Sequence, residues 1–221
     1  MTTTSPATSA DATPSRNPGQ LGPALAAAAS ALAVGALFLP DVTSGGGMDG
    51  MSVTHYMGLL GANQPWNLLI FMALPVILAE TLAITELVLL FSTNPPAYVR
   101  RLSRWAGLVV GPLMVGVGVY LLKNAVIPLT TGSGWRGTAD VIAVFAYLLS
   151  AVPLIGITLV EVGLLGRGSA REARKLHATF VGVFLVVAHI AMIFGMLDPS
   201  VLGWNSEHVM PGGGTMPGMN H

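Results

Sequence analysis

The chain has 221 residues and no net charge, and 52% of its residues are apolar while only 9% are charged. Soluble domains carry about 25% charged residues, so this composition, with a mean hydropathy of +0.69, indicates a membrane protein. The neutral balance gives no basic footprint for nucleic acid. The absence of cysteine excludes disulfides, thiolate metal sites and cysteine nucleophiles.

The chain begins with a polar tail and continues with long apolar runs. Residues 1–20 are rich in Ser, Thr, Pro and Ala, which predicts a disordered cytoplasmic tail. Five runs near or above the roughly twenty residues that cross a bilayer follow: Leu21–Leu39, Asn67–Phe91, Trp105–Leu122, Ala139–Leu165 and His177–Leu197. Because the runs are continuous rather than alternating, helices are favoured over a strand barrel. The sequence predicts an all-α, polytopic helical bundle over 21–197 with five transmembrane helices, or four if the first run is a cleaved signal peptide.

Basic residues predict the orientation of the bundle. Eight of the ten Lys and Arg residues lie before the first run, between the second and third, or between the fourth and fifth. Only Lys123 and Arg136 lie on the other side. Cytoplasmic loops carry the excess of Lys and Arg, so the amino terminus is expected inside and the carboxyl terminus outside. The loop 40–66 and the tail 198–221 are then external segments of a protein in the bacterial cytoplasmic (inner) membrane.

These two external segments are enriched in methionine and histidine. The loop contains GGGMDGMSVTHYM and the tail ends in HVMPGGGTMPGMNH. The candidate metal ligands in them are Met48, Met51, His55, Met57, His208, Met210, Met216, Met219 and His221. Thioethers and imidazoles without thiolates suit Cu(I), a soft ion, and the glycines leave both segments loose enough to wrap it. In composition the segments resemble the Met/His-rich stretches of bacterial periplasmic copper-handling proteins. Zinc or nickel binding, and an inert loop and tail, are the alternatives.

The predicted spans contain carboxylates and imidazoles at positions of interest: Glu80, Glu86, Glu161, His177 and His189. A charged side chain at mid-membrane costs roughly 2–3 kcal/mol or more, so each is expected to face the bundle interior and to have a partner. By depth, Glu80 and His189 are near the middle, and the other three are nearer the cytoplasmic face. They are interpreted as a buried ion or proton pathway. The alternatives are a structural polar network, His177 at the headgroups, and Glu161 paired with Arg167 or another loop arginine.

A stripe on the last span leads from the membrane centre to the external tail. His189, Met192 and Met196 lie within about 60° of one another around the helix. We expect Glu80 and His189 to form a buried pair, with the two methionines as metal ligands leading outward, although such a stripe also suits simple packing. Haem is not expected, because a bis-histidine site needs histidines on facing helices and spans two to four have none.

Small residues and prolines predict how the helices pack. Gly107 and Gly111 form a G-x-x-x-G pair, which favours close helix contact within the bundle or with another subunit. Pro75, Pro112 and Pro153 fall inside spans, where each opens the backbone hydrogen bonding locally.

The predicted function is copper handling by a non-enzymatic membrane protein, as capture, delivery or transport. One alternative is a proton- or ion-coupled permease that uses the intramembrane carboxylates. Another is a non-catalytic subunit of a larger membrane oxidase or monooxygenase complex. The expected partners are the lipid bilayer and either further copies of the chain or a larger membrane complex.

Overall fold

A computed structural model describes residues 18–42, 53–132 and 134–204 of the chain. Within these ranges the protein is all-helical, with no strand. The helices are α1 (Pro18–Phe38), α2 (His55–Gly61), α3 (Trp66–Leu68), α4 (Leu74–Phe91), α5 (Ala97–Leu121), α6 (Ile127–Thr131), α7 (Gly137–Glu161) and α8 (Ala170–Met196). Two π-helical turns, Leu69–Ala73 and Leu122–Val126, join α3 to α4 and α5 to α6, and a 3₁₀ helix (Pro199–Leu202) follows α8.

The all-α, five-span prediction is confirmed. Five helices in the described ranges are long and apolar enough to cross a membrane: Leu21–Phe38, Trp66–Phe91, Ala97–Thr131, Gly137–Glu161 and Arg171–Met196. The third of these spans, α5, begins eight residues before the predicted start at Trp105. The basic stretch 97–104 is part of this helix and does not form a loop. Most side chains of residues 97–104 are exposed, so the positive charge of this stretch does not prevent helix formation.

The core lies between α5 and α7. In each of these two spans 56% of the most apolar 18-residue stretch is buried inside the protein. The corresponding share is 28% for the span formed by α3 and α4, 22% for α8 and 6% for α1. Val110 and Met114 of α5 pack with Leu154 and Ile157 of α7, and all four are almost fully buried. The outer helices present their apolar side chains outward, as expected for helices that face lipid.

The predicted G-x-x-x-G contact is made with α7, within the bundle. A Cβ on Gly107 would lie 2.9 Å from Cγ of Glu161, and one on Gly111 would collide with the Thr158 hydroxyl. That hydroxyl donates to the carbonyl of Gly107 and accepts from the N–H of Gly111 at 3.0 Å. Small residues therefore let α5 and α7 share a side-chain hydrogen bond at close range.

Proline explains the hydrogen bond between α4 and α7. Pro75 has no N–H, so it cannot bond the carbonyl of Phe71 four residues earlier. The Tyr147 hydroxyl of α7 donates to this carbonyl at 2.6 Å in a buried position. The π turn Leu69–Ala73 lies at the same place, since the helical ladder is already open there.

The loop prediction for 40–66 is wrong for its second half. Residues 55–61 form α2, with Thr54 as its N-cap: the Thr54 hydroxyl accepts from the Met57 N–H at 3.3 Å. Asn67 ties this segment together, because its Nδ2 donates to the carbonyl of Leu59 in α2 and to that of Val42 at the end of the preceding described stretch. This segment is thus a helical cap on one end of the bundle.

Candidate functional site

A cavity of about 380 Å³ lies between α2, α4 and α8 and opens on the surface of the bundle. Its walls contain every methionine of the described ranges: Met57, Met72, Met114, Met192 and Met196. Glu80 and His189 also line it. We call this cavity the methionine groove. Most of its remaining lining is apolar, so the two ionisable side chains and the sulfur atoms are its chemically distinctive groups.

The methionines reach the groove from four helices. Met57 comes from α2, Met72 from the π turn before α4, and Met114 from α5. Met192 and Met196 follow His189 on one side of α8, so the stripe expected from helical spacing does line a single surface. Met114 is 1% exposed and lies in the core, whereas Met192 and Met196 are exposed to 41% and 71%.

The expectation of a buried Glu80–His189 pair is wrong in this structure. Both side chains are exposed, and no ion pair joins them in the described part of the chain. Glu80 has no hydrogen-bond partner among the described residues, because it points from α4 into the open groove. The two residues therefore share a cavity without touching as a salt bridge.

His189 is held in one orientation by its own helix. Its Nδ1 lies 2.6 Å from the carbonyl oxygen of Leu185. A carbonyl oxygen only accepts, so Nδ1 must carry the hydrogen. In the neutral ring Nε2 then keeps its lone pair, which is the arrangement found in metal-binding histidines.

The helix α2 covers one end of the groove. The Thr54 hydroxyl donates to the carbonyl of Gly195 at 2.5 Å, and a Cβ on Gly195 would lie 2.6 Å from the Tyr56 ring. Tyr56 packs on Tyr147, with ring centroids 5.3 Å apart. Burial raises the pKa of Tyr56 to about 12, so its phenol stays neutral.

Asp140 fastens α2 to the start of α7. Its side chain is fully buried. The carboxylate accepts from the backbone N–H of His55 at 2.7 Å and from that of Arg136 at 3.1 Å, and it lies 2.5 Å from Nδ1 of His55. Arg136 in turn donates to the carbonyl of Val53 at 2.5 Å. His55, predicted as a ligand in a loose loop, is instead held at the start of α2 by its contacts with Asp140.

A second group of ionisable side chains lies apart from the groove, and we call Glu86, Glu161 and His177 the carboxylate–imidazole triad. Nδ1 of His177 is 2.9 Å from Oε1 of Glu86, and Nε2 is 3.5 Å from Oε1 of Glu161. The side chains are 3% (His177), 8% (Glu86) and 20% (Glu161) exposed. His177 is therefore packed against two carboxylates inside the bundle, whereas its depth relative to the headgroups stays a prediction. The pairing of Glu161 with Arg167 is not seen, since the Arg167 Nε donates to the carbonyl of Gly163.

Several predicted ligands lie outside the described residues, namely Met48, Met51, His208, Met210, Met216, Met219 and His221. Within the described ranges no group of three His, Asp or Glu side chains is placed to hold a metal ion. That finding concerns ligands other than methionine. It leaves the sulfur-lined groove as the place where the described residues bring soft donors together.

Three residues of these sites were missed from sequence. Met72 lies four residues before Val76 and eight before Glu80, a helical spacing that would have placed it on the same side of the helix. Asp140 lies in the first turn of α7, where a carboxylate is favoured by the helix dipole. Met114 carries no such signal, because only the tertiary packing of α5 brings it to the groove.

Comparison with protein families places the chain in one of them. A family model described as "Family of unknown function (DUF6803)" matches residues 51–211. The match covers well over half of the chain, so the protein belongs to this family. No curated protein and no solved structure matches the chain. The matched region includes α2, the methionine groove and the triad.

Proposed function

We propose that this protein handles copper in a bacterial cytoplasmic membrane, taking up Cu(I) from the external side without catalysing a reaction. The observation that carries the proposal is the methionine groove, in which all five methionines of the described ranges line one cavity with His189. Methionine otherwise disperses through cores as a gap filler. Thioether and imidazole donors without thiolates favour Cu(I) over hard cations.

The groove offers the donors that such an ion needs. The Nε2 lone pair of His189 is left available by the hydrogen bond from Nδ1 to the Leu185 carbonyl. Met192 and Met196 lie one and two turns further along α8 on the same side and line the same cavity. An ionised Glu80 would balance the single positive charge of Cu(I), which lowers the cost of holding that charge inside the membrane.

Chain continuity connects the groove to the two Met/His segments. Met51 lies three residues before Thr54, the N-cap of α2, and the tail 205–221 follows the 3₁₀ helix that ends α8. Both segments therefore start at the end of the bundle where α2 covers the groove. In this proposal they collect the ion and pass it to the groove, for transport or for delivery to a partner or a second copy of the chain.

The test is competition for Cu(I) between the purified full-length protein and a chromogenic chelator. Four variants are compared: H189N/M192L/M196L, M48A/M51A, a deletion of 205–221, and I193L. The last is the matched control, because Ile193 is an exposed apolar residue of α8 outside the groove. We expect binding to weaken at least tenfold in the first variant and to be unchanged in I193L.

The other outcomes locate or refute the site. Loss of binding only in the deletion or in M48A/M51A would place the ligands in the Met/His segments and leave the groove as packing. If the full-length protein does not compete with the chelator at all, the copper proposal is refuted.

The second candidate is a proton- or ion-coupled permease, which one observation favours. Glu80 is an intramembrane carboxylate on the groove wall with no partner among the described residues. If the protein is such a permease, E80Q would abolish uptake of the proton or ion into reconstituted vesicles. Deletion of 205–221 would leave that uptake unchanged. The copper proposal expects the deletion to reduce uptake as well.

A further inference from the structure

Basic side chains surround one end of the bundle. It is the end where the α4–α5 and α7–α8 connections lie, opposite to the end that α2 covers. The first third of α5 supplies three of these side chains, and the α7–α8 connection with the start of α8 supplies four. We call them the basic rim: Arg100, Arg101, Arg104, Arg167, Arg171, Arg174 and Lys175. The copper proposal makes no use of them.

The positive charge of the basic rim is not balanced by the described part of the chain. All seven side chains are exposed, and no ion pair in the described ranges joins one of them to a carboxylate. The carboxylates at this end are the buried Glu86, Glu161, on which the charge of Arg104 acts, and Glu172, which is exposed on α8. Even fully ionised, these three balance fewer than half of the seven positive charges. The surface therefore suits anions from outside the chain.

The spacing of the basic residues favours an anion with several oxygens. Arg100 and Arg104 are four residues apart on α5, and so are Arg171 and Lys175 on α8. Residues four apart are neighbours on a helix surface, where like charges destabilise the helix. An anion bound between them removes this repulsion. Guanidinium groups bind phosphate oxygens through two parallel N–H groups, so a phosphate is the anion that this arrangement fits best.

The basic rim borders a surface that faces lipid. Tyr98, Leu102 and Trp105 lie within about 60° of one another around α5, and all three are exposed. Arg101 lies one helical turn before Trp105. Tyrosine and tryptophan prefer the level of the lipid headgroups, where an aromatic ring has a polar and an apolar side. A ligand that matches this surface has an anionic head and apolar chains.

We propose that the basic rim binds anionic phospholipids. Their phosphate groups lie between the arginines, and their acyl chains lie along the exposed apolar side of α5. Clusters of four to eight Lys and Arg residues beside a membrane helix attract anionic lipids in this way. A zwitterionic phospholipid carries its own cation and gains less from the rim. The opposite end of the bundle offers a contrast, because Trp66 begins a span without any Lys or Arg.

Quenching of tryptophan fluorescence by phospholipids with brominated acyl chains tests this on the full-length protein in phosphatidylcholine vesicles. Two single-tryptophan proteins are compared: W66F/W135F/W204F, which keeps Trp105, and W105F/W135F/W204F, which keeps Trp66. Trp66 is the matched control, because it is 61% exposed and Trp105 is 55% exposed. Brominated phosphatidylglycerol or brominated phosphatidylcholine replaces the same share of the vesicle lipid. Beside Trp105 we expect phosphatidylglycerol to bind roughly fivefold more tightly than phosphatidylcholine, and beside Trp66 we expect no preference.

The arginines are tested in the protein that keeps Trp105. Adding R100Q/R101Q/R104Q should remove the preference for phosphatidylglycerol. Glycerol phosphate, which has the headgroup anion without acyl chains, should not displace the lipid at the same concentration. If it does, the rim binds free phosphate and the lipid proposal is wrong.

The protein with its arginines intact can refute the proposal by itself, whatever the folding of the arginine variant. Equal binding of the two lipids beside Trp105 overturns it. A preference of the same size beside Trp66 also overturns it, because the selection would not come from the basic rim. A preference that R100Q/R101Q/R104Q leaves in place has the same consequence.

Discussion

Replacing Asp140 with asparagine is expected to free α2 from the bundle without unfolding the bundle. Asp140 is fully buried, and its two oxygens face the backbone N–H and Nδ1 of His55 and the backbone N–H of Arg136. Asparagine has nearly the same shape but only one acceptor oxygen. Its amide group would therefore point an N–H at another donor, whichever way the side chain is turned.

The magnitude follows from the contacts that are lost. Hydrogen bonds to a charged group contribute about 1.5–3 kcal/mol each, and a donor left unpaired adds a desolvation cost. His55 is 27% exposed, so water replaces part of its contact with the carboxylate. We expect a net loss of about 2 kcal/mol in the attachment of α2, which corresponds to about a 30-fold rise in its local opening. Helices α5 and α7 keep their contacts, so global stability should change much less.

Hydrogen–deuterium exchange of the nanodisc-embedded protein measures this opening. The amides of α2 should exchange about 30-fold faster in D140N, while those in the middle of α5 and α7 should not change. E172Q serves as the control for the loss of one carboxylate on the surface. Equal exchange of α2 in D140N and wild type would refute the role of Asp140 as the attachment point.

The remaining predictions concern helix packing and orientation. T158V removes the hydroxyl shared by two glycine backbones of α5, and should lower the free energy of unfolding by about 1–2 kcal/mol in a denaturant titration; an unchanged midpoint would contradict the shared bond. Y147F leaves the Phe71 carbonyl without its partner and should cost about 1 kcal/mol, seen as a lower unfolding temperature; with no shift, the Pro75-opened carbonyl would have to be satisfied elsewhere. A cysteine at Ser206 should react with an impermeant maleimide in intact cells, and one at Ser169 only after lysis; the reverse pattern would overturn the predicted orientation.

The architecture could be predicted because the membrane constrains it strongly. Runs of about twenty apolar residues have few alternatives to a helix in lipid, so five spans were predictable from composition alone. The ends of the helices were less predictable than their number. Helix α5 (Ala97–Leu121) includes the basic stretch 97–104, because charged residues end a hydrophobic run without ending a helix. The short α2 was missed because His55–Gly61 is too short for helical periodicity to be read.

The two sites were predictable to different degrees. Depth along the helices grouped Glu86, Glu161 and His177 correctly, because a buried ionisable side chain at one level has few other partners. Depth also grouped Glu80 with His189, yet it gives no information on which way a helix faces. The helices are turned so that both line a cavity instead of meeting, and this rotation depends on packing against α5 and α7.

Helices α4 and α8 carry both sites, and this has a mechanical consequence. Glu80 and Glu86 are about 120° apart around α4, and so are His189 and His177 around α8. On each helix one residue faces the groove and the other faces the triad, separated by about 9 Å along α4 and about 18 Å along α8. Neither α5 nor α7 contributes a carboxylate or an imidazole to the groove. A shift of α8 against α4 that changes the spacing of the methionines would therefore also change the distance between His177 and Glu86. Coupling between the groove and the triad needs no other element.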